Sequence, residues 1–591
     1  MKRTVVSLSL IALLASACTI ESQHAPDPGA STGAGITGAA TAQGAERSTT
    51  LGKQASGARE HAAGVQSYAA PMPGIMPPVV RHFPAPMPPA ADRERYQALE
   101  SNPLRLVAEA PVSTFSIDVD TGSYSNVRRM LVAGRLPPKD AVRVEEMINY
   151  FPYAYAGPRK GEPFAVHAEM VDSPWREGAR LLRIGIKGED RARESLPPSN
   201  LVFLVDVSGS MHSADKLPLL KSSLKLLAQR LRPQDRISIV TYASGTKLAL
   251  PATAGDDRLA IVNAIDALQA GGSTAGASGI ELAYRTAQQA WIAGGINRIL
   301  LATDGDFNVG VTDFGQLKAM VEEKRKSGIA LSTLGFGGGN YNEHLMEQLA
   351  DAGDGAYSYI DSLMEAHKVL VNEASSTLET IARDVKIQVE FNPARVAEYR
   401  LIGYENRMLA REDFNNDRVD AGDIGAGHTV TALYELTLAG APGYIDPPRY
   451  DGNAMAAGGQ PKRSARDGTR GGAMGSSNAA AVAGEFAFVK LRYKRPGEGD
   501  SILMTRPVTN DDVRRLDSAD ADSRFAIAVA GFGQLLRGGQ YMGDWNWQAV
   551  RSLASDARGE DTFGYRSEFL RLVDLAASLE TRTPPTGRAG G

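Results

Sequence analysis

The sequence predicts an α/β protein: a doubly wound parallel sheet set between β-rich, sandwich-like segments and followed by a helical C-terminal region. Three observations carry that expectation. From Asn200 onward, short apolar runs (LVFLVDV, RISIVTYA, NRILLATD, IALSTLGFG) alternate with helical stretches such as KLPLLKSSLKLLAQRL, whose leucines recur at helical spacing. Strands alternating with such helices build βαβ units, and a sheet covered on both faces needs strands that are apolar along their length. On either side of this block, runs such as FAVHAEMVD (164–172) and HTVTALYELTL alternate apolar and polar residues, the mark of half-buried antiparallel strands. The third observation is balance: 591 residues with 43% hydrophobic content can build several cores, and 64 Lys and Arg against 68 Asp and Glu leave no basic footprint for nucleic acid.

In chain order, the first element is an export address. Lys2 and Arg3 precede the apolar run Val5 to Leu14, and Ala15, Ser16 and Ala17 lead into Cys18. A charged start, a short apolar run and small residues before a cleavage point are the layout of a signal peptide, here residues 1–17. The run is roughly half the ~20 residues a spanning helix needs, so no transmembrane helix is expected in the mature chain. Cys18 is the single cysteine, which excludes internal disulfides and cysteine-rich zinc sites. Residues 18–100 are rich in Ala, Gly and Pro and poor in large apolar side chains. Such a stretch cannot bury enough surface to offset its ordering entropy, and it is expected to be a tether.

Residues 101–160 mix one short strand signal with two amphipathic helical patterns separated by Leu136, Pro137 and Pro138, which predicts a small helical segment. A β-rich flank (161–197), the α/β domain (198–376) and a second β-rich region (377–510) follow, the last interrupted by a glycine-rich loop at 451–480 that is expected to be disordered. Residues 511–591 are helical, with SRFAIAVAGFGQLLRGG and SEFLRLVDLAASLE as the clearest segments and with Trp545 and Trp547 as packing residues. Strand pairs of like character on both sides of the α/β domain predict one β-sandwich interrupted by an insertion.

Ligands of open α/β sheets bind outside the carboxyl ends of the strands, so residues just after each strand are the ones to read for function. Asp206-Val-Ser208-Gly-Ser210 closes the first parallel strand, Thr274 lies in GGSTAG, and Asp304 closes another strand in LLATDGD. Two carboxylates and three hydroxyls are hard oxygen donors, suited to Mg²⁺ or a related divalent ion rather than zinc or copper. Glycines 209, 271, 272 and 276 give the backbone the freedom to aim them.

These residues resemble a von Willebrand factor type A domain, a Rossmann-like fold, with a complete metal-ion-dependent adhesion site. The resemblance implies that Asp206, Ser208, Ser210, Thr274 and Asp304 hold Mg²⁺, or Mn²⁺ or Ca²⁺: the serines directly, the threonine directly or through water, the aspartates often through water. It also implies that an Asp or Glu of a protein partner completes the ion's coordination. The segments SIDVDTGSYSNVRRML, RVEEMINYFPY, GFGGGNYNEHLMEQLADAGDGAYSYID and YRLIGYENR further resemble a bacterial subfamily of lipoproteins, which carries its own N-terminal segment and a C-terminal region of unknown function. The run before Cys18 is similar to a lipobox, although Ala15 stands in the slot of the usual leucine. That similarity implies acylation of Cys18 and anchoring in a membrane, and Thr19 after the cysteine favours the outer membrane. The function these resemblances imply is a lipid-anchored cell-envelope protein that binds a protein partner, with neither an enzymatic activity nor a small-molecule substrate.

Other motifs compete. Asp118-Val-Asp120-Thr121 imitates the first motif of aspartate-nucleophile phosphatases, against a turn or helix-cap role. Asp413, Asn415, Asp417, Asp420 and Asp423 carry calcium-loop spacing, but Arg418 and Ile424 stand where that loop needs Gly and Glu, so an acidic hairpin loop is the competing reading. His212 near Ser210 reads as a solvated neighbour. A purely structural envelope scaffold is the alternative at the level of the whole protein.

Overall fold

The computed structural model describes residues 93–117, 120–273, 276–305, 314–373, 379–419, 421–446 and 484–581. The export segment, Cys18, nearly all of the tether, the 451–480 loop, Asp118, Thr274 and Asp420 lie outside these described residues.

Strands β1 (Arg105–Leu106) and β2 (Val112–Ser116) lead into helices α1 (Gly122–Val132) and α2 (Val144–Asn149), and the hairpin β3 (Phe164–Asp172) and β4 (Ala179–Gly188) follows. The inserted domain then runs through β5 (Ser199–Asp206), α3 (Leu217–Ala228), β6 (Arg236–Tyr242), β7 (Thr246–Ala254), α4 (Arg258–Asp266), α5 (Gly276–Gln289) and β8 (Ile296–Thr303). It continues with α6 (Phe314–Arg325), β9 (Ala330–Phe336), α7 (Glu343–Ala352), β10 (Tyr357–Ile360) and α8 (Leu363–His367). The chain returns through β11 (Thr380–Phe391), β12 (Val396–Ile402), β13 (Ile424–Gly425), β14 (Thr429–Leu438), β15 (Glu485–Lys494) and β16 (Ser501–Thr509). Helices α9 (Ala521–Leu536), α10 (Trp547–Asp556) and α11 (Tyr565–Glu580) end it.

The inserted sheet has the order β10-β9-β8-β5-β6-β7. All its pairings are parallel except β6 with β7, a hairpin that the sequence reading did not single out. β7 lies at the edge and exposes much of its length, so it lacks the apolar run that marks the buried strands. Along β5, Leu201, Phe203 and Val205 pack with α3 and α4, while Val202 and Leu204 face Ile280 and Ala283 of α5. Burial on both faces is why this strand reads as continuously apolar.

Strands from both sides of the insertion share one sheet, β1-β12-β14-β4-β3, so the β-sandwich interrupted by an inserted domain is present. Its second sheet runs β13-β11-β15-β16, with β2 also on β11. Leu182, Ile184 and Tyr434 of the first sheet and Ile387, Val389 and Leu491 of the second meet in a single core. Side chains alternate across a strand, so Leu181 and Leu433 point to the opposite face of the first sheet, where they join α1, α2, α9, α10 and α11 in another core. The N-terminal helical segment is present, and it shares its core with the C-terminal helices. Its two short helices cannot bury their apolar faces alone; they complete a helical layer whose other members come from the end of the chain. Phe151, which follows α2, stands edge-on to Phe525 of α9 and Phe569 of α11, with ring centroids 4.9 and 5.7 Å away.

Helix α1 also covers β10, the edge strand of the inserted sheet. Ser125 donates to the Tyr359 carbonyl at 2.7 Å, and Arg128 grips the Asp361 carboxylate with two hydrogen bonds, of 2.5 and 2.7 Å. An unpaired edge is thereby hidden from other chains.

Candidate metal centre at the carboxyl edge of the inserted sheet

β5 and β8 are parallel neighbours, and the chain order reverses there: β6 and β7 lie on one side of β5, β8 and β9 on the other. This is the switch point of the sheet, where strand-end loops diverge and leave a crevice. Asp206 ends β5 and Asp304 follows β8; both side chains are fully buried.

Asp206 is fixed by three donors. Its Oδ1 accepts from the Ser208 amide at 2.8 Å, and its Oδ2 accepts from the Thr303 hydroxyl at 2.8 Å and the Tyr242 hydroxyl at 3.3 Å. Burial raises its pKa, and the hydrogen bonds from Ser208 only partly offset this. The Ser208 and Ser210 hydroxyl oxygens lie 3.0 Å apart, with Ser208 buried and Ser210 open to solvent. Asp304 Oδ2 accepts from Lys216 Nζ at 2.8 Å and Asn340 Nδ2 at 3.2 Å. Burial acts to raise the Asp304 pKa, but Lys216, Ser210 and Asn340 together outweigh it and hold the carboxyl below its ordinary value.

Although Thr274 is outside the described residues, the loop that delivers it is not. Gly209 N–H donates to the Gly272 carbonyl at 3.0 Å, and Gly271 N–H donates to the Val207 carbonyl at 2.8 Å. Gly272 sits at φ +87°, and a Cβ there would lie 2.5 Å from Ser244 Oγ, so only glycine passes this point unstrained. The threonine loop is thus bound to the serine loop two residues before Thr274.

The donor set fits a small divalent ion. Neighbouring oxygens of octahedral Mg²⁺, each ~2.1 Å from the ion, are about 3 Å apart, the separation found between the two serine hydroxyls. Hard oxygens on two buried carboxylates and two hydroxyls suit Mg²⁺, Mn²⁺ or Ca²⁺ and offer no soft ligand. Sequence reasoning missed Lys216, Asn340, Thr303 and Tyr242. Thr303 and Tyr242, at strand ends, could have been found by reading every β terminus; Lys216 and Asn340 come from loops whose convergence no local pattern shows.

The competing motifs take other roles. Asp120 is buried and spans two elements: it accepts from the Tyr357 amide at 2.8 Å and from Arg407 at 3.2 Å. The N-cap of α1 is Thr121, which makes no side-chain capping bond, so Asp120 tethers β10 rather than capping its own helix. Carboxylate oxygens of Asp120, Glu146 and Glu347 come within 4.8 Å of one another. Guanidinium groups already serve them: Arg407 Nη2 donates to Glu347 at 2.9 Å, and Arg143 Nη2 donates to its other oxygen at 3.1 Å. That makes the cluster an ion-pair clasp. In the calcium-like loop, Asp417 is held by Arg492 at 3.0 Å and by Ser501 at 2.6 Å, which lower its pKa to about 2. Asp423 faces Arg383 at 3.6 Å, and Asp413 falls in a short 3₁₀ turn that includes Asn415 (Arg411–Asn415). His212 is exposed, and the tryptophans pack: Trp545 on Trp175 and Trp547 on Phe532.

This fold and this strand-end constellation define a von Willebrand factor type A protein. The family model so described matches residues 200–373, and one described as von Willebrand factor matches 90–183. A third, described as Uncharacterized protein YfbK, C-terminal, matches 376–579. Uncharacterized protein YfbK of Escherichia coli (strain K12) is 49% identical over 490 residues, which cover 82% of this chain and 81% of the relative. The chain belongs to the YfbK family of von Willebrand factor type A domain proteins. Inter-alpha-trypsin inhibitor heavy chain H3 of Rattus norvegicus is 27% identical over 169 residues, 27% of this chain and 19% of that one. Among solved structures, von Willebrand factor type A from Catenulispora acidiphila is similar at 17% identity and a TM-score of 0.37, over 70% of this chain and 91% of that one. Type A domains are protein-interaction modules, generally without enzymatic activity, and commonly bind a divalent ion.

Proposed function

We propose that the inserted domain binds Mg²⁺ through Asp206, Ser208, Ser210, Thr274 and Asp304, and that the bound ion captures an acidic group of a protein partner. The observation that carries this reading is the 3.0 Å separation of the Ser208 and Ser210 hydroxyl oxygens beside two buried carboxylates. When bound, the ion supplies a positive centre with a coordination position for a carboxylate oxygen. The protein's own part is to hold the donors in place. Thr303 and Tyr242 fix Asp206, Lys216 and Asn340 fix Asp304, and the Gly209–Gly272 contact brings in the threonine loop. Exposed Ser210 leaves the mouth open to a partner. In this reading the protein is a binder rather than an enzyme, and the sandwich and helical layer present the domain.

The same proposal places the chain at the cell envelope, held by acyl chains on Cys18 and facing the periplasm or the surface from the outer membrane, with residues 18–100 as the spacer. Two or more acyl chains, at ~0.8 kcal/mol per buried CH₂, give stable anchoring. Cys18→Ser should move the protein from the membrane to the soluble fraction; retention on the membrane would contradict the anchor. Crosslinking pull-down from membranes, with and without chelator, tests the binding role. Partner recovery should fall with chelator and with Ser208→Ala, whereas recovery indifferent to both would leave a structural scaffold as the correct reading.

A further inference from the structure

Lys216 stands beside the candidate metal site, paired with Asp304. Its ammonium lies 2.8 Å from Asp304 Oδ2 and 2.9 Å from Asn340 Oδ1, and its side chain is only 8% exposed against a fully buried Asp304. The path of its stem is built into the neighbouring loop. Gly337 has φ +70°, and a Cβ there would stand 2.4 Å from Lys216 Cγ, so glycine is required for the lysine to pass. The loop that carries Asn340 is pinned from outside: Arg93 and Arg95 donate their amides to the Gly339 and Tyr341 carbonyls, each at 2.9 Å, and Glu94 accepts from the Gly339 amide at 2.8 Å. A lysine held on three sides and aimed at a metal-site carboxylate is a placed charge rather than a solvated one.

We propose that Lys216 is a built-in counter-cation of the metal site, which weakens metal binding on its own and strengthens the demand for an acidic partner group. The proposal rests on the metal-site reading above. Asp206 and Asp304 carry two negative charges, and the serine and threonine hydroxyls carry none. Without a lysine, a divalent ion would leave the site neutral. With Lys216 at 2.8 Å from Asp304, the site with its ion carries one net positive charge, in a buried setting where screening is weak. Two effects of opposite sign follow. The ammonium repels the incoming ion, and the loaded site attracts a carboxylate more strongly. Metal and acidic ligand thereby become coupled, each favouring the other by the same factor.

The opposite signs separate this role from a merely structural one. The full chain, stripped of metal with chelator, is titrated with Mg²⁺ by calorimetry, with and without acetate as the carboxylate probe. Lys216→Met should bind Mg²⁺ roughly tenfold more tightly than wild type, and acetate should enhance its Mg²⁺ affinity less than it enhances that of wild type. Lys216→Gln keeps hydrogen-bonding capacity without the charge and should shift both quantities the same way, which covers the case in which the apolar variant fails to fold. Unchanged or weaker Mg²⁺ binding by a folded Lys216→Met or Lys216→Gln, where wild type binds Mg²⁺, overturns the role of Lys216 alone. Absence of Mg²⁺ uptake by wild type and both variants overturns the metal-site reading together with it.

Discussion

Arg407 Nη2 donates to Glu347 Oε1 at 2.9 Å and joins the loop after β12 of the sandwich to α7 of the inserted domain. The same nitrogen reaches Asp120 at 3.2 Å, and the neighbouring one reaches Asp351 at 2.9 Å, so one guanidinium ties together three segments far apart in sequence. Removing one partner of a buried pair leaves the others uncompensated, at a cost of about 3 kcal/mol. Arg407→Ala should therefore lower the midpoint of denaturant unfolding sharply, and a paired Arg407→Met, Glu347→Leu variant should recover part of the loss. A midpoint unchanged by Arg407→Ala would show that the clasp does not hold the domains.

The same region sets a pH dependence. Burial, with Glu347 and Glu145 nearby, raises Glu343 to about 8, and burial with Glu145 nearby raises Glu405 to about 7. A carboxyl whose folded pKa exceeds its unfolded value keeps its proton in the folded chain. Its contribution is complete at low pH and is lost as pH rises through 7 and 8. His428 acts in the other direction: burial lowers it to about 4, so its effect appears only as pH falls below its unfolded value of 6.5. Burial also pushes Asp120 and Glu146 of the same cluster well up, so between pH 6.5 and 8 the buried acids all act in one direction, and stability should fall by about 2 kcal/mol or more. Glu343→Gln should flatten that slope when melting temperature is followed against pH; a slope retained in the variant would assign the titration elsewhere.

Gly272 offers a test of loop geometry. At φ +87° and 2.5 Å from Ser244 Oγ, an added Cβ meets both strain and a clash. Gly272→Ala should lose about 1 kcal/mol or more of stability and weaken Mg²⁺ uptake through Thr274, two residues further along the same loop. Gly294→Ala is the control, since its φ is +67° but nothing lies within 4 Å of the added carbon. It should destabilise without touching Mg²⁺ affinity; equal loss of Mg²⁺ binding in both variants would sever the link between Gly272 and the site.

Phe151 shows how the two ends of the chain depend on each other. Truncating this buried ring, which meets Phe525 and Phe569, should cost about 3–5 kcal/mol. Phe151→Ala should also make the C-terminal helices cleavable by protease well before the inserted domain. Simultaneous cleavage of both would contradict a helical layer shared by the two termini.

The inserted domain was legible because its parallel strands advertise themselves locally: β5 carries an unbroken apolar run from Leu201 to Val205 between α3 and α5, and Asp206 and Asp304 stand where strands end. The sandwich was legible from the alternation in β3, β4 and β14. Elements joined by distant partners were not. The apolar faces of α1 and α2 look like those of any small helical segment until Phe525 and Phe569 arrive from the end of the chain. Lys216 opens a helical run in the sequence, yet its tie to Asp304 depends on Gly337 and Asn340, more than a hundred residues on. Asp120 resembled a catalytic carboxylate because the sequence shows its neighbours but not Arg407.

The most direct measurement is calorimetric titration of the metal-stripped full chain with Mg²⁺, wild type beside a Ser208→Ala, Ser210→Ala variant shown to melt at the same temperature. One ion per wild-type chain and none in the variant is the predicted result. Equal uptake by both, or no uptake by wild type, would contradict a metal centre at the end of β5.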